Sequence, residues 1–229
     1  MSLRIVERPS PNHDARPEGL RVDMLVLHYT GMRTAEEAVS RLCDPGARVS
    51  SHYTVDEDGT VYAHVPQARR AWHAGVSFYA GTPNVNFRSI GIEIVNPGHE
   101  FGYRPFPDAQ IAAVIALSNG VLARHPIPKH LVVGHSDVAP ARKTDPGELF
   151  PWERLAQAGI GLWPRTRVRA SGDPAMLLRR IGYGLPGDAE VTLEQVLIAF
   201  QRRYRPARFD GILDAETEDR LRAVAAECP

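Results

Sequence analysis

Seven consecutive residues, Met24 to Thr30 (MLVLHYT), constrain the fold of this chain more than any other stretch. Four of the seven are apolar and β-branched or aromatic residues close the run, so it reads as a buried strand with His28 near its far end. Ser89 to Val95 (SIGIEIV) is a second strand, and Leu131 to Gly134 is a short third one running into His135. Between the first two, Thr34 with Glu37 three residues on forms a capping box that starts a short helix with Ala38, Val39 and Leu42 inward. His52 to Val65 alternates around Asp58-Gly59, a hairpin signal. Pro107 to Ala123 has helical apolar spacing through Ile111, Val114, Ile115, Leu117, Val121 and Leu122. Mixed strands and helices predict an α/β or α+β fold, and the hairpin argues for a partly antiparallel sheet.

At 229 residues the chain exceeds the commonest domain size of about 100–150, which predicts two domains. The boundary is expected after Trp163-Pro164, where RTRVRASGD (165–173) is polar and basic, as suits a linker. That leaves one domain over 1–164 and a second over 174–229. Helix signals recur in the second: Asp173 and Pro174 before Met176, Leu177 and Ile181, then Thr192 with Gln195, then Asp214 before Thr217, Leu221 and Val224. A three-helix module is expected there.

A composition of 43% hydrophobic and 24% charged residues is that of a globular protein. Lys and Arg number 27, as do Asp and Glu, so bulk charge draws the chain to neither nucleic acid nor an anionic membrane, and no nucleic-acid partner is expected. Cys43 and Cys228 are the only cysteines, which excludes a disulfide-stapled scaffold and a CxxC site and leaves two idle thiols. No apolar run approaches the roughly 20 residues that span a bilayer. The start, MSLRIVERPSPNHDARPEG, lacks the apolar stretch of a secretory signal, so a cytoplasmic location is expected, or a periplasmic one if the start was trimmed.

Nine histidines are present, and any one of them is a weak marker. His28 and His135 stand apart because each lies where an apolar strand meets a polar loop, the place where α/β proteins assemble sites. Glu93 is sharper still, a carboxylate among Ile90, Ile92, Ile94 and Val95. Burying it without a partner is costly or forces protonation, so either it serves a site with a raised pKa or Gly91, Glu93 and Val95 face outward on an edge strand. The loop after His135, SDVAPARKTDPGELFPW, carries Asp137, Arg142, Lys143 and Asp145 along a rigid, proline-punctuated path. Two neutral imidazoles and one carboxylate make a catalytic zinc shell with a position open for water, and spacing alone does not choose Asp145 over Asp137. The helical HExxH signature is absent.

LHYTG (27–31), SSHYTVDEDGTVYAHV (50–65), AWHAG (71–75), SIGIEIVN (89–96) and VGHSDVAPARKTDPGELFPW (133–152) together resemble the zinc-dependent N-acetylmuramoyl-L-alanine amidases. Their catalytic domain is shared with peptidoglycan recognition proteins, and the resemblance runs from about residue 8 to 164. It implies a mixed, mainly antiparallel sheet flanked by helices, with one zinc ion in a groove. It implies His28, His135 and Asp145 as the zinc ligands, Glu93 as the catalytic glutamate and Lys143 as the catalytic-site lysine. Trp72 and His73 are expected to line the groove, or else to be a packed tryptophan beside a hydrogen-bonded histidine.

VTLEQVLIAFQRRYRPARFDGILDAETEDRL (191–221) is similar to the small three-helix peptidoglycan-binding domain that follows the catalytic domain in one branch of these amidases. The other reading of the same helices is a module that merely stabilises the catalytic domain. The reaction so implied is hydrolysis of the amide between the lactyl group of N-acetylmuramic acid and L-alanine. Its substrates would be peptidoglycan fragments or the sacculus, anhydro forms included, in cell-wall recycling or turnover. The competing readings are a non-catalytic peptidoglycan recognition module and a zinc peptidase acting within the stem peptide.

Overall fold

A computed structural model describes residues 3–165 and 172–229, so residues 166–171 of the expected linker lie outside the described residues. Among the described residues ten strands are present: β1 (Ile5–Glu7), β2 (His13–Ala15), β3 (Met24–Tyr29), β4 (Tyr53–Val55), β5 (Val61–Ala63), β6 (Arg69–Ala71), β7 (Phe78–Tyr79), β8 (Thr82–Pro83), β9 (Ser89–Ile94) and β10 (Val132–Gly134). Six of them form one sheet in the order β1-β5-β4-β9-β3-β10, while β2 pairs with β6 and β7 with β8. The helices are α1 (Ala35–Cys43), α2 (Gly98–Phe101), α3 (Asp108–Arg124), α4 (His135–Val138), α5 (Trp152–Gln157), α6 (Pro174–Ile181), α7 (Leu193–Tyr204) and α8 (Ala215–Ala226).

The fold is α/β with a mixed sheet between helices, but the sheet is not mainly antiparallel. Among the described residues its one antiparallel pairing is β4 with β5; β1-β5, β4-β9, β9-β3 and β3-β10 all run parallel. The hairpin signal around Asp58-Gly59 described its own pair correctly: Val55 faces Val61, and Gly59, at φ 86°, donates its N–H to the Asp56 carbonyl. It carried no information about the other neighbours. The MLVL run did, because a strand apolar on both faces suits a parallel interior covered by helices on both sides.

Alternation along the strands sorts their side chains into two cores. Leu25 and Leu27 of β3 join Ile90, Ile92 and Ile94 of β9 in a cluster with Ile111, Val114, Leu117 and Val121 of α3. Met24 and Val26 on the opposite face join Val133 and Val138 in a cluster with Leu178, Ile181, Val196, Phe200, Leu221 and Val224 of α6 to α8. The C-terminal helices therefore cover the sheet face that α3 leaves open. Their caps form as the sequence suggests: Asp173 accepts from Met176 N, Thr192 from Gln195 N and Asp214 from Thr217 N. Met176 is 69% exposed, and Leu178 with Ile181 makes the buried stripe of α6. Both cysteines are free, and among the described residues no helix is long and apolar enough to cross a membrane.

The segment before β3 is tied across the sheet edge by Arg16, whose guanidinium donates to the carbonyls of Gln67, Asn86, Phe87 and Ser89. Beside it His52 is fully buried, and its Nδ1 accepts the Gly91 N–H at 3.0 Å. Burial, with Arg16 adding to it, holds the His52 ring down to about 3.

Two outcomes follow. Ending the chain at residue 165 would bare Met24, Val26, Val133 and Val138, at about 1.5–3 kcal/mol each, a sum comparable to a whole domain's stability. The shortened protein should aggregate or melt far below the full chain in a calorimetric scan, and an unchanged melting point would show the two parts to be independent. For His52, the unfolded chain binds a proton between about pH 6.5 and 3 that the folded chain refuses, so stability rises with pH there and is lost on acidification. One such group contributes about 1.4 kcal/mol per pH unit. Urea unfolding in the presence of a chelator from pH 7 to 4 should show this slope, and His52→Gln should reduce it by about one proton.

Candidate active site

Because β9, β3 and β10 are parallel neighbours, their C-terminal ends open on one rim, which is where open α/β sheets assemble sites. The register sets His28 directly opposite Glu93 and Leu27 opposite Gly134, so His135, the residue after Gly134, arrives beside His28. β9 lies between β4 and β3, so Glu93 is on an inner strand and not on an edge. The alternation noted in SIGIEIV is real: Ile90, Ile92 and Ile94 pack towards α3, and Ser89, Gly91 and Glu93 share the other face. At this end of the sheet that face is the floor of a groove.

The loop after α4 returns to the rim because Ser136 N donates to the Asp145 carbonyl at 2.9 Å and the Thr144 hydroxyl meets Tyr29 Oη at 2.9 Å. Asp137 does not take part: its carboxylate is buried and accepts from Gly134 N, Tyr183 Oη and Arg203 Nη1. It is Asp145 that stands against the two histidines. His28 Nδ1 lies 2.9 Å from His135 Nδ1 and 3.2 Å from Asp145 Oδ2, and His135 Nδ1 lies 3.1 Å from the same oxygen.

The hydrogen-bond network assigns the protons on these rings. Ser89 gives its hydroxyl proton to the Val85 carbonyl at 2.8 Å, so its oxygen accepts from His73 Nε2 at 3.0 Å. Burial first, and then His28, hold His73 well below the usual histidine range, so the neutral ring offers Nδ1 as an acceptor, 2.9 Å from His28 Nε2. His28, held down to about 4 by burial and by His135, therefore carries its proton on Nε2 and leaves Nδ1 bare. His135 Nε2 donates to the Ala74 carbonyl at 3.1 Å, so it is Nδ1 that bears the lone pair in the neutral ring. Asp145 Oδ2 faces both of these Nδ1 nitrogens.

Three electron pairs thus converge with no proton between them. A tetrahedral ion holding its ligands at about 2.0–2.1 Å spaces them roughly 3.3 Å apart, close to what is found, and the donor set of two imidazoles and a carboxylate could hold a metal ion. Each imidazole also passes its other N–H to a fixed acceptor, as ligating histidines do.

Around this point, Glu93, Lys143, Trp72 and His73 all line one groove, together with Arg142 and Thr144. Glu93 Oε2 is shut from solvent and has no hydrogen-bond partner. Burial, and then Asp145, push its carboxyl well above the ordinary glutamate range, against the pull of Lys143. A partnerless carboxylate poised to take up a proton beside residues that could hold a cation is equipped for general acid–base chemistry. His73 is buried as well as groove-lining, and its ring nitrogens are engaged with His28 and Ser89. Sequence reasoning missed Ser89, although it shares the alternation face of Gly91 and Glu93. It also left Arg142 without a task; its guanidinium donates to the Ala74 and Val76 carbonyls and so braces the loop that carries His73.

The family described as N-acetylmuramoyl-L-alanine amidase matches residues 18–148. The N-acetylmuramoyl-L-alanine amidase AmiD of Escherichia coli K12 is 37% identical over 93% of this chain and 87% of its own length. The 1,6-anhydro-N-acetylmuramyl-L-alanine amidase AmpD of Enterobacter cloacae is 36% identical over 64% of this chain and 86% of its own. The structure of E. coli AmiD with the substrate anhydro-N-acetylmuramic acid-L-Ala-D-gamma-Glu-L-Lys is similar at TM-score 0.79 and 36% identity, over 93% of this chain and 91% of that one. AmpDh3 of Pseudomonas aeruginosa in complex with anhydromuramic pentapeptide matches at TM-score 0.79 and 36% identity, over 90% and 92%. Alike in sequence and in fold over most of its length, the chain belongs to the N-acetylmuramoyl-L-alanine amidase family.

Proposed function

We propose that this enzyme is a zinc amidase that cleaves the bond between N-acetylmuramic acid and L-alanine in peptidoglycan fragments, anhydro-muropeptides among them. His28, His135 and Asp145 would hold the ion. The observation that carries this reading is the convergence of their three bare electron pairs at 2.9–3.2 Å. The substrate class is supported by AmiD and AmpDh3, similar to this chain over nine-tenths of its length and complexed with anhydromuramyl peptides.

Bound zinc would supply Lewis-acid polarisation of the scissile carbonyl and an acidified water. Glu93 Oε2, unpaired and directly across the register from His28, is placed to take a proton from the attacking water and would give one to the leaving nitrogen of L-alanine. Lys143, beside Glu93 and Asp145 in the groove, sets an ammonium against the negative charge that grows on the carbonyl oxygen. His73 keeps the His28 ring in the required tautomer and orientation, and Trp72 offers an aromatic wall to the sugar or peptide. The helices of residues 174–229, similar in sequence to a peptidoglycan-binding module, use their apolar faces in the core shared with the sheet. Polymer contact, if they make it, falls to their outer polar faces.

Asp145→Ala should lose both zinc, by metal analysis, and activity; a zinc content equal to the parent would remove it from the ligand set. Glu93→Gln should retain zinc and fold while turning over at least about 100-fold more slowly. Mass spectrometry of products from a soluble muropeptide should show a peptide beginning at L-alanine and a free muramyl sugar. Cuts inside the stem peptide would instead identify a peptidase, and an intact substrate a recognition module.

A further inference from the structure

The turn that delivers His135 to the rim is gripped from behind by the C-terminal helices. Asp137, two residues on, accepts from Gly134 N at 2.8 Å and from Arg203 Nη1 at 2.8 Å on one oxygen, and from Tyr183 Oη at 2.5 Å on the other. Arg203, on α7, reaches past it with Nη2 to the Val132 carbonyl at 2.9 Å. One guanidinium therefore bridges Val132 at the start of β10 and Asp137 in α4, and the four residues between those anchors include His135. The rings of Trp152 and Tyr204 lie 4.1 and 4.8 Å from it and fix its plane. Arg203, Asp137 and Tyr183 are respectively 3%, 1% and 2% exposed.

A buried ion pair is a poor way to gain stability, since apolar side chains of similar volume do as well or better. What a charged fork adds is direction, because it sets the places of a carbonyl, a carboxylate and, through that carboxylate, the Gly134 N–H. Metal ligands must be held to about 0.5 Å, and their outer hydrogen-bond partners are worth about 10–100-fold in metal affinity. We propose that Arg203 and Tyr183 are positioning residues for His135, so that the C-terminal helical unit sets the metal affinity of a site to which it contributes no ligand. This rests on the reading of His135 as a ligand.

The test uses the full chain and measures zinc dissociation constants by competition with a chromophoric chelator, well below the unfolding transition of each metal-free variant. Arg203→Met combined with Asp137→Asn removes both charges at once and should weaken zinc about 10–100-fold. Arg203→Lys, which keeps the charge and loses the fork, should fall between that variant and the parent, and Tyr183→Phe should weaken zinc several-fold. The visible spectrum of the cobalt-loaded double variant should shift as well, a change that a purely structural role would not produce. Zinc affinity within twofold of the parent in folded variants overturns the proposal, however far their melting points drop. If the double variant does not fold, Tyr183→Phe decides by the same criterion. Asp145→Ala is the control for the underlying reading: zinc retained there means that the ligand set is wrong, whereas zinc lost there but kept in the Arg203 and Tyr183 variants means that only the coupling is.

Discussion

Three lone pairs confined within about 3 Å repel one another unless a positive charge sits among them, and the rim of this sheet is arranged around that requirement. For His28 to present a bare Nδ1 it must surrender its proton elsewhere, which requires a neutral His73 with its own proton directed to Ser89. For His73 to lie there it must press close against β9, and a Cβ at position 91 would come within 2.5 Å of its ring. Glycine at 91 is thus a clearance, and serine at 89 is the last side chain in a series of hydrogen bonds that ends on the Val85 carbonyl. The pattern S-x-G-x-E on one face of β9 holds an acceptor, a gap and a base in sequence, while the intervening isoleucines on the other face build the core.

Much of this was visible in the residues before any coordinates. The strands, the hairpin, the capped helices, the strand-end positions of His28 and His135 and the setting of Glu93 in an apolar strand each depend on interactions within a few residues, and such interactions leave periodic traces. Strand direction left a fainter one. Parallel pairing depends on crossovers tens of residues long; the hairpin, true of β4 and β5, argued only for a partly antiparallel sheet, and the expectation of a mainly antiparallel one came with the family resemblance. Asp137 and Asp145 could not be ranked because their difference lies in partners far along the chain, with Arg203 and Tyr183 claiming the first and leaving the second for the histidines. The resemblance to a known family named Asp145 where spacing did not.

The division of the chain has a similar lesson. Composition marks a change after Trp163-Pro164, and the helices beyond it are capped as an independent unit would be. Packing runs across the change: Met24 and Val26 on β3 share one cluster with Phe200 and Leu221. A boundary in polarity shows where the backbone is solvated, and says little about which apolar faces meet afterwards.

The three groups at the rim are far apart along the chain, with His28 and His135 separated by 107 residues. A cation held among them acts as a clasp across a very long loop, closing it only in the native arrangement. Any ligand that recognises the native chain alone deepens its free-energy well, by about 4 kcal/mol when present at a thousand times its dissociation constant. Copies made where metal is scarce would open more often and be cut by proteases sooner. The metal economy of the surroundings would then govern how many molecules of enzyme persist, in addition to how fast each one works.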